Sequence, residues 1–167
     1  MKSCQSSLEL CATSNYFPDC LLVSQMSEQK KLYEPIKRWL ESNGVKVLPE
    51  SEKLPVPIKD VLPTQNYIFP DIIGIRETND VVVVEVETNL NKILEVMGKC
   101  MLWKTTATYV YIAYPKQKCR KFGVLVKFGI GLLGVSEDGV DEIIRMLPVE
   151  RSSYDSYKAT ELHPVNL

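Results

Sequence analysis

"FPDIIGIRETNDVVVVEVET", residues 69–88, sets two runs of β-branched residues around a polar break and places an acid near the outer end of each run. Ile72 to Arg76 and Val81 to Glu87 read as strands, with Glu77-Thr78-Asn79-Asp80 as the turn, so the stretch predicts a β-hairpin. Asp71 precedes the first strand, and Glu85 and Glu87 close the second. Residues two apart on a strand point the same way, which gives Glu85 and Glu87 one face. Asp71 joins them only if the turn has the right parity. A symmetric four-residue loop pairs position 76 with 81, and hence 71 with 86, on the wrong face. A three-residue loop, or a bulge at Gly74, restores the match.

Carboxylates crowded into an apolar setting raise one another's pKa and are costly to bury while ionised. A solvated strand edge is one way to carry them. The other is a hard divalent cation, and Mg²⁺ characteristically takes one or two carboxylates, several waters and phosphate oxygens.

Outward from the hairpin, Leu32, Ile36, Trp39 and Leu40 recur at helical spacing over Ser27 to Ser42, with Ser27 as a cap and Asn43-Gly44 as a stop. Pro35 requires either a kink there or a start near Tyr33. "VKVLP" (45–49) reads as a short strand, and residues 50–68, with Pro55, Pro57 and Pro63, as a long loop or broken edge. Asn91 to about Thr106 has helical periodicity in Ile93, Leu94, Met97, Met101 and Leu102. "ATYVYIAYP" and "FGVLVKFGIGLLGV" read as strands, and "EDGVDEIIRMLP" as a turn followed by a short helix or strand. This order predicts a mixed α/β sheet flanked by helices, with a crossover helix returning the chain to a parallel neighbour. The expected organisation is an irregular arm over 1–26, an α/β domain over 27–149 and a polar tail over 150–167, with Met26 as an alternative translation start.

The chain has 167 residues, and its 20 Lys plus Arg against 21 Asp plus Glu leave no bulk field to attract nucleic acid or anionic membrane. Cys4, Cys11, Cys20, Cys100 and Cys119 lack the close paired spacing of a zinc site and read as free thiols in a reducing cytoplasm. Phe128 to Val135, the longest apolar run, is too short to cross a bilayer. His163 is the lone histidine, which argues against a histidine nucleophile relay, and "FGIGLLG" lacks the lysine and hydroxyl of a P-loop.

Pro70-Asp71, thirteen intervening residues and Glu85-Val86-Glu87, with an acid-bearing helix upstream and a crossover helix downstream, resemble the PD-(D/E)XK nuclease superfamily. The likeness runs from about Glu28 to Pro148 and takes in "YVYIAYP" and "FGIGLLGVSEDG". It implies a restriction endonuclease-like fold and a metal-dependent DNA endonuclease with Mg²⁺ or Mn²⁺ as cofactor. Asp71, Glu85 and the Val86 carbonyl would be the metal ligands, and Glu34, or in its place Glu50, the additional acid. Duplex or branched DNA would be the partner, and a homodimer would supply two sites for a double-strand cut.

The departure is at position 87, where the family's usual lysine is glutamate. That lysine is thought to orient the water and stabilise developing charge, so Glu87 would act as a base or an extra ligand. In some relatives the lysine has moved to the following helix, which makes Lys99 the candidate, with Lys92 nearer the helix start. Each also reads as a solvated helix lysine. Lys116, Lys118, Arg120 and Lys121 follow a core strand and would contact phosphates or keep a sheet edge charged. Trp103, Tyr109, Tyr111 and Tyr114 read as packed core aromatics before they read as base-stacking surfaces. The competing expectation keeps the fold without the chemistry, as a degenerate nuclease that binds nucleic acid or a protein partner.

Overall fold

The computed structural model describes residues 17–52, 56–57, 67–119, 122–146 and 148. Its centre is the expected hairpin, β4 (Ile72–Arg76) and β5 (Val81–Val86), paired antiparallel with Ile72 opposite Val84 and Ile75 opposite Val81. The Arg76 amide donates to the Asp80 carbonyl at 3.0 Å, so the loop holds three residues. Asn79 closes it with φ 67°, a left-handed conformation that asparagine tolerates better than most residues. The odd loop length fixes the parity: one step beyond the Ile72–Val84 pair, Asp71 falls beside Glu85. Gly74 is not a bulge, since it pairs with Val82 on one side and Val47 on the other. A Cβ there would come within 2.5 Å of Val45 Cγ1 and 2.9 Å of the Lys46 carbonyl oxygen, so close strand approach demands the glycine.

β1 (Val45–Val47), β6 (Tyr109–Pro115), β7 (Gly131–Ser136) and β8 (Gly139–Ile144) complete a six-stranded sheet in the order β1-β4-β5-β6-β7-β8. β6 is parallel to both β5 and β7, while the remaining pairs are antiparallel. Helix α2 (Ile93–Trp103) makes the crossover from β5 to β6, and the short α3 (Val124–Lys127) lies between β6 and β7. β2 (Val56–Pro57) and β3 (Tyr67–Ile68) form a separate two-stranded pair within the region expected to be a loop or broken edge.

Helices cover both faces of the sheet. Ile36 and Leu40 of α1 (Phe17–Ser42) pack with Ile72, Val82, Val84 and Val86. On the other face Val96, Cys100 and Trp103 of α2 and Leu125 of α3 pack with Ile73, Val83, Val110 and Ile112. This double coverage explains why the valines of β5 are apolar without alternation, as expected of a strand buried on both sides. The α/β class and its mixed sheet between helices are as the sequence predicts.

Two local expectations are corrected and one open alternative is decided. α1 begins at Phe17, not at Ser27, so residues 17–26 of the expected irregular arm are helical; the helix also runs through a buried Pro35. The apolar contacts of Ile36 and Leu40 with the sheet hold that segment despite the lost helix hydrogen bond. Val124–Lys127 is helical where a strand was expected, with Leu125 buried and Val126 exposed. "GVDEII", left open as helix or strand, is the edge strand β8. Residues 1–16 of the arm and the tail over 150–167 lie outside the described residues. Among the described residues no helix is long and apolar enough to cross a membrane.

Candidate functional site

β5 enters the core as four buried valines and carries Glu85 as its one acid on the α2 face. Glu85 is 3% exposed, with Trp103 Nε1 donating to its Oε1 at 2.7 Å and Lys99 Nζ 4.0 Å from its Oε2. Trp103 and Lys99 lie four apart on α2, so one helix face brings an indole donor and an ammonium to the same carboxyl. Burial pushes the Glu85 carboxyl up to about 8, and the neighbouring Asp71 adds to the rise. Lys99, the Trp103 indole and the Asp71 backbone amide oppose it.

Asp71 sits at the bend before β4 and turns over the end of β5. Its Oδ2 accepts from the Val86 backbone amide at 2.8 Å, and its Oδ1 from the Tyr33 hydroxyl at 2.8 Å. Gln29, one turn earlier on α1, donates through Nε2 to the Val86 carbonyl and, at 3.5 Å, to Asp71 Oδ2. Burial first, and then Asp71, raise the pKa of the Tyr33 hydroxyl, so it stays a proton donor. A cleft of about 350 Å³ opens beside Asp71, lined among others by Tyr33, Lys37, Leu48, Pro49 and Glu50.

The structure therefore brings together Asp71, Glu85, the Val86 carbonyl and Lys99 of the expected set. It does not bring Glu34, whose exposed carboxylate pairs with Lys37 at 3.1 Å. A residue 100° around the helix from Tyr33 points elsewhere, and Tyr33 and Gln29 are the α1 side chains that bond Asp71. Glu50, the substitute, does line the Asp71 cleft from the turn Glu50–Glu52. Glu87 lies just past the end of β5, where its Oε1 accepts from the Thr88 and Asn89 amides at 2.7 and 2.8 Å. That carboxylate caps the chain as it leaves the sheet.

The two described lysines of the basic loop are spent on the protein itself. Lys116 pairs with Asp141 at 2.6 Å, and Lys118 donates to the Thr88 carbonyl at 2.6 Å, tying the end of β6 to the exit from β5. Arg120 and Lys121 lie outside the described residues. Lys92 belongs to the single turn Leu90–Lys92 that leads into α2. Trp103, Tyr111 and Tyr114 are buried and Tyr109 half-buried under Arg76, so they are core aromatics. Cys100 and Cys119 are buried free thiols.

Among the described residues no three His, Cys, Asp or Glu side chains converge into a metal-holding group. The oxygens that do gather are the two carboxylates and the Val86 carbonyl, a donor set suited to a hard cation such as Mg²⁺ or Mn²⁺. Reading the sequence missed Gln29, Tyr33 and the Trp103 contact. The i, i+4 spacing of Gln29 and Tyr33 on a helix was the only signal that could have paired them.

No family model matches the chain, and no curated protein matches it. Among solved structures it resembles the "SPO1766 protein of unknown function from Silicibacter pomeroyi", with a TM-score of 0.53 at 13% identity over 78% of this chain and 79% of that one. At that identity the likeness concerns the fold alone.

Proposed function

We propose that the chain is a Mg²⁺- or Mn²⁺-dependent phosphodiester hydrolase acting on DNA, with its centre at the end of β5. The observation that carries this reading is the meeting of Asp71 and Glu85 across the hairpin, with Lys99 reaching the Glu85 carboxyl from α2. Asp71, Glu85 and the Val86 carbonyl would hold the ion, which supplies polarisation of a phosphate oxygen and a lowered water pKa. Lys99 is 39% exposed and keeps an ammonium at the rim of the acid pair. That is the charge the resemblance expects at position 87, where it would stabilise negative charge on a phosphate. Glu50 adds a carboxylate in the cleft beside Asp71. Duplex or branched DNA is the substrate class, and a homodimer would bring two such centres to one duplex.

The test is calorimetric titration of Mg²⁺ and Mn²⁺ into the parent and an Asp71→Ala, Glu85→Ala double variant, followed by incubation with plasmid and branched DNA. Uptake lost in the double variant, with metal-dependent nicking by the parent, is the expected result. No uptake by a folded parent overturns the reading.

A second reading, a degenerate nuclease fold that binds nucleic acid or a protein, is favoured by a separate observation. The acceptors of Asp71, Glu85 and Val86 are already engaged by Tyr33, Trp103 and Gln29, and Glu87 by backbone amides. Binding of DNA or a protein by a folded parent that takes up no metal would favour that version.

A further inference from the structure

Gln29 and Tyr33 are one turn apart on α1, and both reach the end of β5. Their chemistry there differs. Tyr33 bonds Asp71 Oδ1 and so fixes the rotation of the carboxylate. Gln29 directs one amide nitrogen at the Val86 carbonyl and Asp71 Oδ2 together. Those belong to two of the three groups assigned above to a cation, and a neutral N–H donor and a cation compete for the same lone pairs. We infer that Gln29 is a positioning residue that sets the cation affinity of the Asp71–Glu85–Val86 centre by competing for its oxygens.

The inference rests on the metal reading of the preceding subsection and deepens it. A helical acid at this place would add a ligand, whereas this chain has an amide that satisfies the carbonyl and the carboxylate without a metal. Metal loading would then be coupled to α1, because an ion would take oxygens that the Gln29 amide holds. Tyr33 differs in bonding only the other carboxylate oxygen, Asp71 Oδ1, and not the Val86 carbonyl.

The experiment is Mn²⁺ titration by calorimetry into the full chain and into Gln29→Leu, Gln29→Glu and Asp71→Ala, with metal-free thermal melts to establish that each variant folds. Removing one competing hydrogen bond is expected to tighten Mn²⁺ binding about tenfold in Gln29→Leu. Gln29→Glu, which exchanges the donor for a carboxylate oxygen, is expected to tighten it further. Gln29→Ala replaces the leucine variant if that one does not fold. Binding by Gln29→Leu equal to or weaker than the parent's, while Asp71→Ala abolishes uptake, overturns the competition and leaves the metal reading intact. No uptake by any of the chains, Gln29→Glu included, overturns both.

Discussion

The indole nitrogen of Trp103 donates to Glu85 Oε1 at 2.7 Å, and both side chains are buried. This bond joins the crossover helix to the strand that carries the acid pair, and it gives a buried carboxyl the partner it needs. Trp103→Phe keeps most of the apolar contact and removes the donor. It is expected to cost about 2 kcal/mol, read as a lower urea midpoint, because the carboxyl is left short of a partner.

Stability should fall with rising pH. The Glu85 carboxyl titrates near its ordinary 4.5 in the unfolded chain and at about 8 in the folded one, so the folded state holds the proton more tightly. The contribution is complete below about 4.5, declines between the two values and is lost above about 8. Thermal melts between these limits should drift downward, and Glu85→Gln should flatten the drift. Under the metal reading, added Mn²⁺ should oppose the decline, since a cation favours the ionised carboxylate.

Glu87→Ala should lower stability by about 1 kcal/mol and leave Mn²⁺ affinity within about twofold, because Oε1 serves the Thr88 and Asn89 amides. Glu87→Gln retains an acceptor there and should lose less. A loss of Mn²⁺ affinity beyond tenfold in the alanine variant would make Glu87 a ligand after all.

The left-handed Asn79 can be tested by exchange. Asn79→Gly should be neutral within about 0.5 kcal/mol, while Asn79→Val should cost about 1–2 kcal/mol, since a β-branched residue resists φ 67°. Urea unfolding of the two variants compares them directly.

Lys99→Met is expected to leave the fold intact, as this lysine is partly exposed and its two carboxylate neighbours lie 3.8 and 4.0 Å away. On the proposed function it should reduce Mn²⁺-dependent nicking by about a hundredfold, with Lys99→Arg restoring part of the rate. Nicking unchanged in Lys99→Met would remove this lysine from the chemistry.

By itself the sequence determined the central hairpin, the crossover helix and the α/β class. β-branched runs and three- and four-residue apolar spacing are local records of what a segment buries. It also narrowed the acid pairing to two backbone solutions. The tertiary structure chose between them, with a three-residue loop closed by Asn79 and an unbulged Gly74 pressed against β1. It likewise decided that Gln29 and Tyr33, rather than Glu34, meet Asp71, that Trp103 holds Glu85, and that Lys116 and Lys118 are taken by Asp141 and the Thr88 carbonyl. α1 reaches ten residues further than its apolar periodicity marked, from Phe17 rather than Ser27. The common reason is distance along the chain. The Gln29–Val86 bond spans 57 residues and the Trp103–Glu85 bond 18, and such partners are set by how packed elements lie against one another, which no local period encodes.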